Sequence, residues 1–414
     1  MERIIATYLI ETPYDIHEAA AILAGEQSSG TFVAVPGETQ ELKERFAARV
    51  EEVEELETVS QPSIPGDNVP EGKYHRAKVK ISWSVENFEV NVPVLISTLQ
   101  GNLYELRQFT GLKLDDFELP SVYKDHFNGP SFGVKGSKKL TSVPDNRPMI
   151  GTIIKPSVGL SPDQTGEIVE KLIGAGIDFI KDDELMGSTA NSSFSKRVST
   201  IMRIINNHAE KTGKKVMYAF NITEDYDTMM ANYDRILNAG GTCAMISVNS
   251  IGWAAARDIC ERGELAIHAH RNGWGMLNRH PYLGINFPAY SKLWRMAGVD
   301  QLHVNGIRNK FWESDESVIR SIKSCLTPFI NEQLILPVVS SGQWGGQAFD
   351  TYEWTKTTDL LYMAGGGIMA HPSGPEGGVV ALKQAWEGAV NGLTLEQAAR
   401  QYKEFGQSVN KFGN

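Results

Sequence analysis

From about residue 149 onward, short apolar runs recur at a nearly even spacing, and this recurrence constrains the fold more than any other feature of the chain. The runs are Ile150–Ile154, Ile177–Ile180, Val216–Phe220, Ala244–Val248, Leu265–Ala269, Leu302–Val304, Leu336–Val339 and Leu360–Met363. Stretches with apolar residues at helical spacing, such as Thr165–Ala175 and Val198–Thr212, separate most of them. Eight buried strands alternating with helices over about 215 residues predict a (β/α)8 barrel of the TIM type. Periodicity alone also fits an open, doubly wound parallel sheet. Ala381–Gln407 supplies closing helices.

The preceding residues follow another rhythm. Ile4–Ile10 alternates like a strand, Ile16–Ala24 has helical spacing, Leu42–Val53 reads as a charged amphipathic helix, and Tyr74–Trp83 reads as a strand. This is an α+β pattern without a βαβ period, assigned to a domain over 1–136. The polar, Gly/Pro/Lys-rich stretch Asn128–Arg147 marks its boundary with a barrel domain over 145–414. A chain of 414 residues, 41% of them hydrophobic, is long enough for two cores.

Charge and composition narrow the function classes. A formal net charge of -10 argues against nucleic-acid binding, which needs a basic face. It does not exclude an anionic substrate, because a few Lys and Arg can converge in one cleft. Cys243, Cys260 and Cys325 are too scattered for a disulfide framework or a CxxC metal site, and suit a reducing compartment. The start, MERIIATYLIETPYD, has no apolar core behind a basic segment, and no run reaches the ~18 apolar residues of a membrane span. A cytoplasmic enzyme without membrane partners is the expectation.

The residues that follow the apolar runs carry the chemistry. Lys155 follows the first, Lys181-Asp182-Asp183-Glu184 the second, and Asn221 the third. His268-Ala269-His270-Arg271 close the fifth, His303 lies in the sixth, Ser340-Ser341-Gly342 follow the seventh, and Gly365-Gly366-Gly367 the eighth. The fourth leads only to Asn249 and Ser250. In a barrel these ends meet on one face, where active sites are built.

Each cluster also has a plainer reading. On a strand Lys181 and Asp183 share a face and Asp182 points away, while Glu184 can swing over the mouth. Two carboxylates suit magnesium, a hard ion that takes oxygen ligands. A lysine between them makes sense as a ligand only after CO2 converts its amine to a carbamate. Without that, the four residues read as a solvated charge cluster. His268 and His270 point the same way and read either as a core pair or as a proton-moving site, with Arg271 offering a planar fork to phosphate. His303 by itself reads as a structural histidine. The three glycines form a flexible turn or a backbone cradle for phosphate after strand eight.

These blocks together resemble a known family, ribulose bisphosphate carboxylase (RuBisCO) and its RuBisCO-like relatives. The matching segments are Gly25–Phe32 (GEQSSGTF), Gly101-Asn102, Gly151–Pro156 (GTIIKP) with Gly159-Leu160-Ser161, and Phe179–Glu184. They continue with His268–Arg271, Asp300–His303, Lys310, Ser340–Gly342, and Gly365–Gly367 with His371-Pro372. The match is colinear over nearly the whole chain. It implies a ferredoxin-like α+β N-terminal domain before the barrel. It also implies that Lys181, as a carbamate formed with CO2, holds one Mg2+ per active site with Asp183 and Glu184. Lys155 resembles the proton-shuttling lysine beside the enediolate. His270 resembles a general acid/base, and Asn102 a metal- and substrate-facing amide. Arg271, His303 and Ser340 match one phosphate or polar-end site; Thr31, Lys310, Gly342, Gly365 and Gly366 match the other. In the family Glu26, Thr31 and Asn102 come from the neighbouring subunit, which implies a homodimer or an assembly of dimers.

The departures narrow the activity. Ser157 stands where the family has a second lysine, Phe32 replaces a tryptophan, and Trp274 replaces a histidine. The loop after strand six reads Val304-Asn-Gly-Ile-Arg-Asn-Lys310 instead of a Gly-rich hinge. Losing a fixed positive charge and the closing loop argues against CO2 fixation. The resemblance then implies a magnesium enzyme that forms an enediolate on a phosphorylated keto-sugar or sugar acid. The expected substrate is 3-oxo-isoapionate 4-phosphate, with decarboxylation or transcarboxylation/hydrolysis as the outcome. Isomerisation or tautomerisation of a methylthio-ketose phosphate is the alternative, and a non-catalytic binding relative is a second.

Overall fold

The computed structural model describes residues 2–29, 36–66 and 69–413, in two compact units. The first comprises Met1–Phe127 with Gly273–Leu293, and the second Asn128–Asn272 with Trp294–Asn414.

The first unit is a five-stranded sheet. Its strands are β1 (Arg3–Thr12), β2 (Arg49–Val59), β3 (Tyr74–Ser84), β4 (Gly111–Glu118) and, from the later segment, β10 (Leu283–Ile285), in the order β10-β4-β1-β3-β2. β1 pairs antiparallel with β3 and β4, and β10 runs parallel to β4. Ile4, Ala6, Tyr8 and Ile10 of β1 are fully buried, as strict alternation requires. The helix Ile16–Glu26 starts where the Asp15 carboxylate accepts from the amides of His17 and Glu18, and it buries Ile16, Ala19, Ala20, Leu23 and Ala24.

The expected helix over Leu42–Val53 is corrected. A helix covers only Gln40–Phe46, and the chain then enters β2. Val50, Val53 and Leu56 are three residues apart, which mimics a helical stripe, but β2 pairs antiparallel with β3 through two register shifts. Glu52 faces Lys80 and Glu54 faces Lys78, so opposite charges across the strands favour the sheet. Nor is Asn128–Arg147 merely a polar boundary. It contains the helix Gly133–Thr141, and Val134 packs into the second unit's core. The segment Gly273–Leu293 gave no sign in the sequence of leaving the barrel; β10 is too short to show a period.

The second unit is a closed barrel of eight parallel strands. They are β5 (Met149–Ile153), β6 (Phe179–Lys181), β7 (Met217–Asn221), β8 (Cys243–Ser247), β9 (Ala266–His270), β11 (Gln301–His303), β12 (Leu336–Val339) and β13 (Leu361–Met363). Each of the eight apolar runs becomes one strand, displaced by no more than two residues, and the open-sheet alternative falls away. Met149, Phe179, Met217, Met245, Leu336 and Leu361 fill the interior. These strands are buried on both faces, which explains their continuous apolar runs. Among the described residues no helix is long and apolar enough to cross a membrane.

Candidate active site

The carboxyl ends of the barrel strands bring the barrel residues read from the sequence to one mouth. Lys181 ends β6 with its side chain 1% exposed. Its Nζ donates to Asp182 O at 2.8 Å, to Glu184 Oε2 at 3.3 Å and to Met245 Sδ at 3.4 Å. Burial lowers its pKa against the opposing pull of Glu184 and Asp183. Lys155, just past β5, donates to Asp183 Oδ2 at 2.6 Å and to Ser157 Oγ at 2.8 Å. Glu184 Oε2 also lies 3.5 Å from His270 Nε2. Burial would raise the Glu184 carboxyl, but His270 and Lys181 outweigh it and hold the group down at about 2.

This is not a solvated charge cluster. Asp182 points away from the barrel interior as expected, yet it is fully buried. It accepts from Tyr218 OH at 2.6 Å, Asn221 N at 3.0 Å and Arg197 Nε at 3.2 Å. Arg197, fully buried on the helix Phe194–Thr212, also donates to Ser192 O at 3.1 Å. Asn221 Nδ2 reaches Glu184 O at 3.2 Å. Arg197 and Tyr218 therefore brace the loop that carries Asp183 and Glu184. The sequence reading missed both, because neither stands at a strand end.

Two carboxylates of this kind offer hard oxygen ligands, and the third side chain between them is a lysine. Among the described residues no group of three His, Cys, Asp or Glu side chains could hold a metal ion. The set fits magnesium if Lys181 supplies an oxygen donor, and burial that favours its neutral amine favours reaction with CO2.

Three histidines occupy the other side. His268 is fully buried, with Nδ1 2.8 Å from Gln301 Oε1 and Nε2 2.9 Å from His303 Nε2. It is the core histidine of the pair, whereas His270 is partly open, 15% exposed. Burial, then the Lys181 charge, pushes His268 down to about 3 and His270 to about 4. Burial, then His270, lowers His303 well below the usual histidine range. His303 Nδ1 lies 3.1 Å from Ser340 Oγ. Arg271, 4% exposed, pairs through Nη2 with Glu313 Oε2 at 3.0 Å. Glu313, in the loop after β11, is a further residue the sequence reading did not single out.

The loops after β11 and β12 are tied together. Ser341 Oγ donates to Asn305 Oδ1 at 2.8 Å, and Lys310 N to Ser341 O at 3.2 Å. Asn305 (φ 63), Ser341 (φ 76) and Gly342 (φ 81) sit in the left-handed region, which is costly for serine and marks a strained mouth. The three glycines after β13 divide by role. A Cβ on Gly367 would stand 2.6 Å from Gln343 O, so packing demands glycine there. Around Gly366 nothing lies within 4 Å, and at Gly365 the nearest atoms are Ile153 Cδ1 at 3.7 Å and Lys155 Cε at 4.0 Å, which leaves backbone open to a ligand. Glu26 and Asn102 are exposed in the first unit, and Thr31 lies outside the described residues. The end of β8, which gave no clue in the sequence, carries Ser247. Its buried Oγ has no hydrogen-bond partner among the described residues, and in register it pairs with His270.

A closed parallel barrel with lysines, carboxylates and histidines gathered at the carboxyl ends of its strands defines a barrel enzyme. The ribulose bisphosphate carboxylase large chain models match it twice, the N-terminal domain over residues 1–123 and the catalytic domain over 137–412. The chain belongs to the ribulose bisphosphate carboxylase large-chain family. It is 47% identical over 414 residues to the 3-oxo-isoapionate-4-phosphate decarboxylase of Rhizobium etli, covering 99% of both chains. It is 49% identical over 400 residues to the 3-oxo-isoapionate-4-phosphate transcarboxylase/hydrolase of Xanthobacter autotrophicus, covering 96% of both. The crystal structure of a rubisco-like protein from Burkholderia fungorum superposes with a TM-score of 0.93 at 41% identity, covering 100% of both.

Proposed function

We propose that this chain is a RuBisCO-like, magnesium-dependent enzyme that decarboxylates 3-oxo-isoapionate 4-phosphate rather than fixing CO2. The observation that carries the reading is a proton donor placed at the mouth beside the carboxylates: the Lys155 ammonium stands 2.6 Å from Asp183 and is 43% exposed. A 3-oxo acid suits such a site, because loss of its carboxylate needs no proton abstraction. The C–C bond to the carboxylate breaks, its electron pair stays on the α-carbon as an enolate, and CO2 leaves. Lys155 then delivers a proton to that carbon and is recharged from solvent.

Lys181 as a carbamate, Asp183 and Glu184 would hold Mg2+, which when bound supplies Lewis-acid stabilisation to developing negative oxygen. His270 orients a substrate hydroxyl from a neutral ring. Glu26, Thr31 and Asn102 complete the site from a partner subunit in a homodimer, as the family resemblance implies. The relatives named as decarboxylase and as transcarboxylase/hydrolase support the substrate class. Hydrolysis requires a base to activate water, and a carbamate on Lys181 is the group that could serve, so it is the second reading. The thio-sugar tautomerase reading lacks its lysine base, since Asn102 stands at that position.

The test incubates the enzyme with Mg2+, bicarbonate and 3-oxo-isoapionate 4-phosphate and identifies products by NMR. A tetrulose phosphate with CO2 is expected. Phosphoglycerate with glycolate would establish the hydrolytic reading, and no turnover would sink the substrate. Lys181→Ala is expected to lower kcat by about a thousandfold through loss of the anchoring oxygen donor.

A further inference from the structure

The amine of Lys181 is surrounded by acceptors. Asp182 O, Glu184 Oε2 and Met245 Sδ lie 2.8, 3.3 and 3.4 Å from its Nζ. Such a shell suits an ammonium. It does not suit the carbamate that the proposed function places on this side chain, whose two oxygens carry negative charge and accept hydrogen bonds. In that carbamate the Lys181 nitrogen has bonded to the carbon of CO2, one C=O electron pair has moved onto oxygen, and the displaced N–H proton has gone to solvent. One oxygen serves the metal beside Asp183 and Glu184. The other belongs to a side chain only 1% exposed, so it needs a donor from the protein.

The polar side chains nearest this cluster are engaged elsewhere. Lys155 Nζ is shared between Asp183 Oδ2 at 2.6 Å and Ser157 Oγ at 2.8 Å. Asn221 Nδ2 is shared between the carbonyls of Glu184 at 3.2 Å and Met186 at 3.4 Å. His268 has its two ring nitrogens on Gln301 Oε1 and His303 Nε2. His270 has Nδ1 3.0 Å from Asn272 Oδ1 and Nε2 3.5 Å from Glu184 Oε2.

Ser247 is different. It ends β8, 1% exposed, and its Oγ has no hydrogen-bond partner among the described residues. Met245, two residues earlier on the same face of the strand, lies in the barrel interior against Lys181 Nζ. The Ser247 side chain therefore points into the mouth one level higher. In register it stands beside His270, whose Nε2 and the Lys181 Nζ meet the same Glu184 oxygen. The Ser247 amide donates to Thr223 Oγ1 at 2.9 Å, which fixes the strand end. A buried hydroxyl is seldom left without a partner, because its lost hydrogen bonds to water go uncompensated. We infer that Ser247 is a positioning residue for the Lys181 carbamate, its hydroxyl donating to the carbamate oxygen that does not hold the metal. This rests on the proposed reading of Lys181 as an oxygen donor, and it adds which residue steadies that donor.

The test is 13C NMR of the full chain equilibrated with Mg2+ and increasing 13C-bicarbonate, with Lys181→Ala as the blank. The wild type is expected to show a carbamate resonance that Lys181→Ala lacks. Ser247→Ala is expected to raise the CO2 concentration that half-fills it by at least about fivefold, the scale of one hydrogen bond to a charged group. A second measurement separates this role from a structural one. In CO2-free buffer Ser247→Ala is expected to melt no more than about 2 °C below the wild type, because the hydroxyl it removes has no partner there. A rise smaller than about fivefold, or a larger loss of melting temperature without CO2, would overturn the role of Ser247 and leave the proposed function standing. No resonance in the wild type would overturn the inference together with the carbamate itself, and the products formed from 3-oxo-isoapionate 4-phosphate would still decide the decarboxylation.

Discussion

At the scale of single residues, the strongest determinants are buried polar groups whose partners are fixed. His268 and His270 are held down at about 3 and about 4, against about 6.5 in an unfolded chain. Between those values the unfolded chain binds more protons than the folded one, so stability is full above about pH 6.5 and falls as pH drops through that window. Melting temperature is therefore expected to decline from pH 7 to pH 4, and His268→Gln to soften the decline; a flat wild-type profile would contradict the assignment. Arg197→Met leaves the buried Asp182 carboxylate without its cation and is expected to cost about 3–5 kcal/mol in denaturant unfolding. Wild-type-like stability of that variant would remove Arg197 from the bracing role. Strand alternation made Lys181 and Asp183 legible in the sequence, and their place after an apolar run made Lys155 and His270 legible. Arg197 and Glu313 were not, because they act through contacts made across strands and loops and carry no periodic or motif signal of their own.

At the scale of elements, the sequence spoke most clearly where burial imposed a pattern. Every barrel strand was announced by its apolar run, since both faces are covered. β2 was misread because it is an exposed edge strand whose few apolar residues happen to recur every third position. β10 was missed because three residues cannot display a period. The glycines after β13, of which Gly366 and Gly367 open the short helix Gly366–Met369, offer a test at this scale. Gly367→Ala drives a Cβ toward Gln343 O and is expected to destabilise by about 1–3 kcal/mol. Gly366→Ala meets nothing, so its melting temperature is expected to stay within about 2 °C of wild type while KM rises, because the methyl enters ligand space. The opposite pattern, stability lost at Gly366 and kept at Gly367, would show that this division between the glycines is wrong.

At the scale of the whole molecule, the closed barrel brings Lys155 after β5, Lys181, Asp183 and Glu184 at the end of β6 and His270 at the end of β9 to one mouth, and the proposed function assigns them one reaction. The proposed dimer makes each active site depend on two chains. Mixing Lys181→Ala with Asn102→Ala subunits under exchange is then expected to restore about a quarter of wild-type activity, because half of the dimers regain one intact site. No recovery after proven exchange would place Asn102 outside the partner's site. The central claim is that carbon dioxide leaves and Lys155 protonates the carbon left behind. It is tested most directly by turnover of 3-oxo-isoapionate 4-phosphate labelled with 13C in its carboxylate, run in D2O. The label is expected to appear as 13CO2 and bicarbonate, and the ketose phosphate product is expected to gain one deuteron at the decarboxylated carbon. Label retained in a two- or three-carbon acid would contradict it.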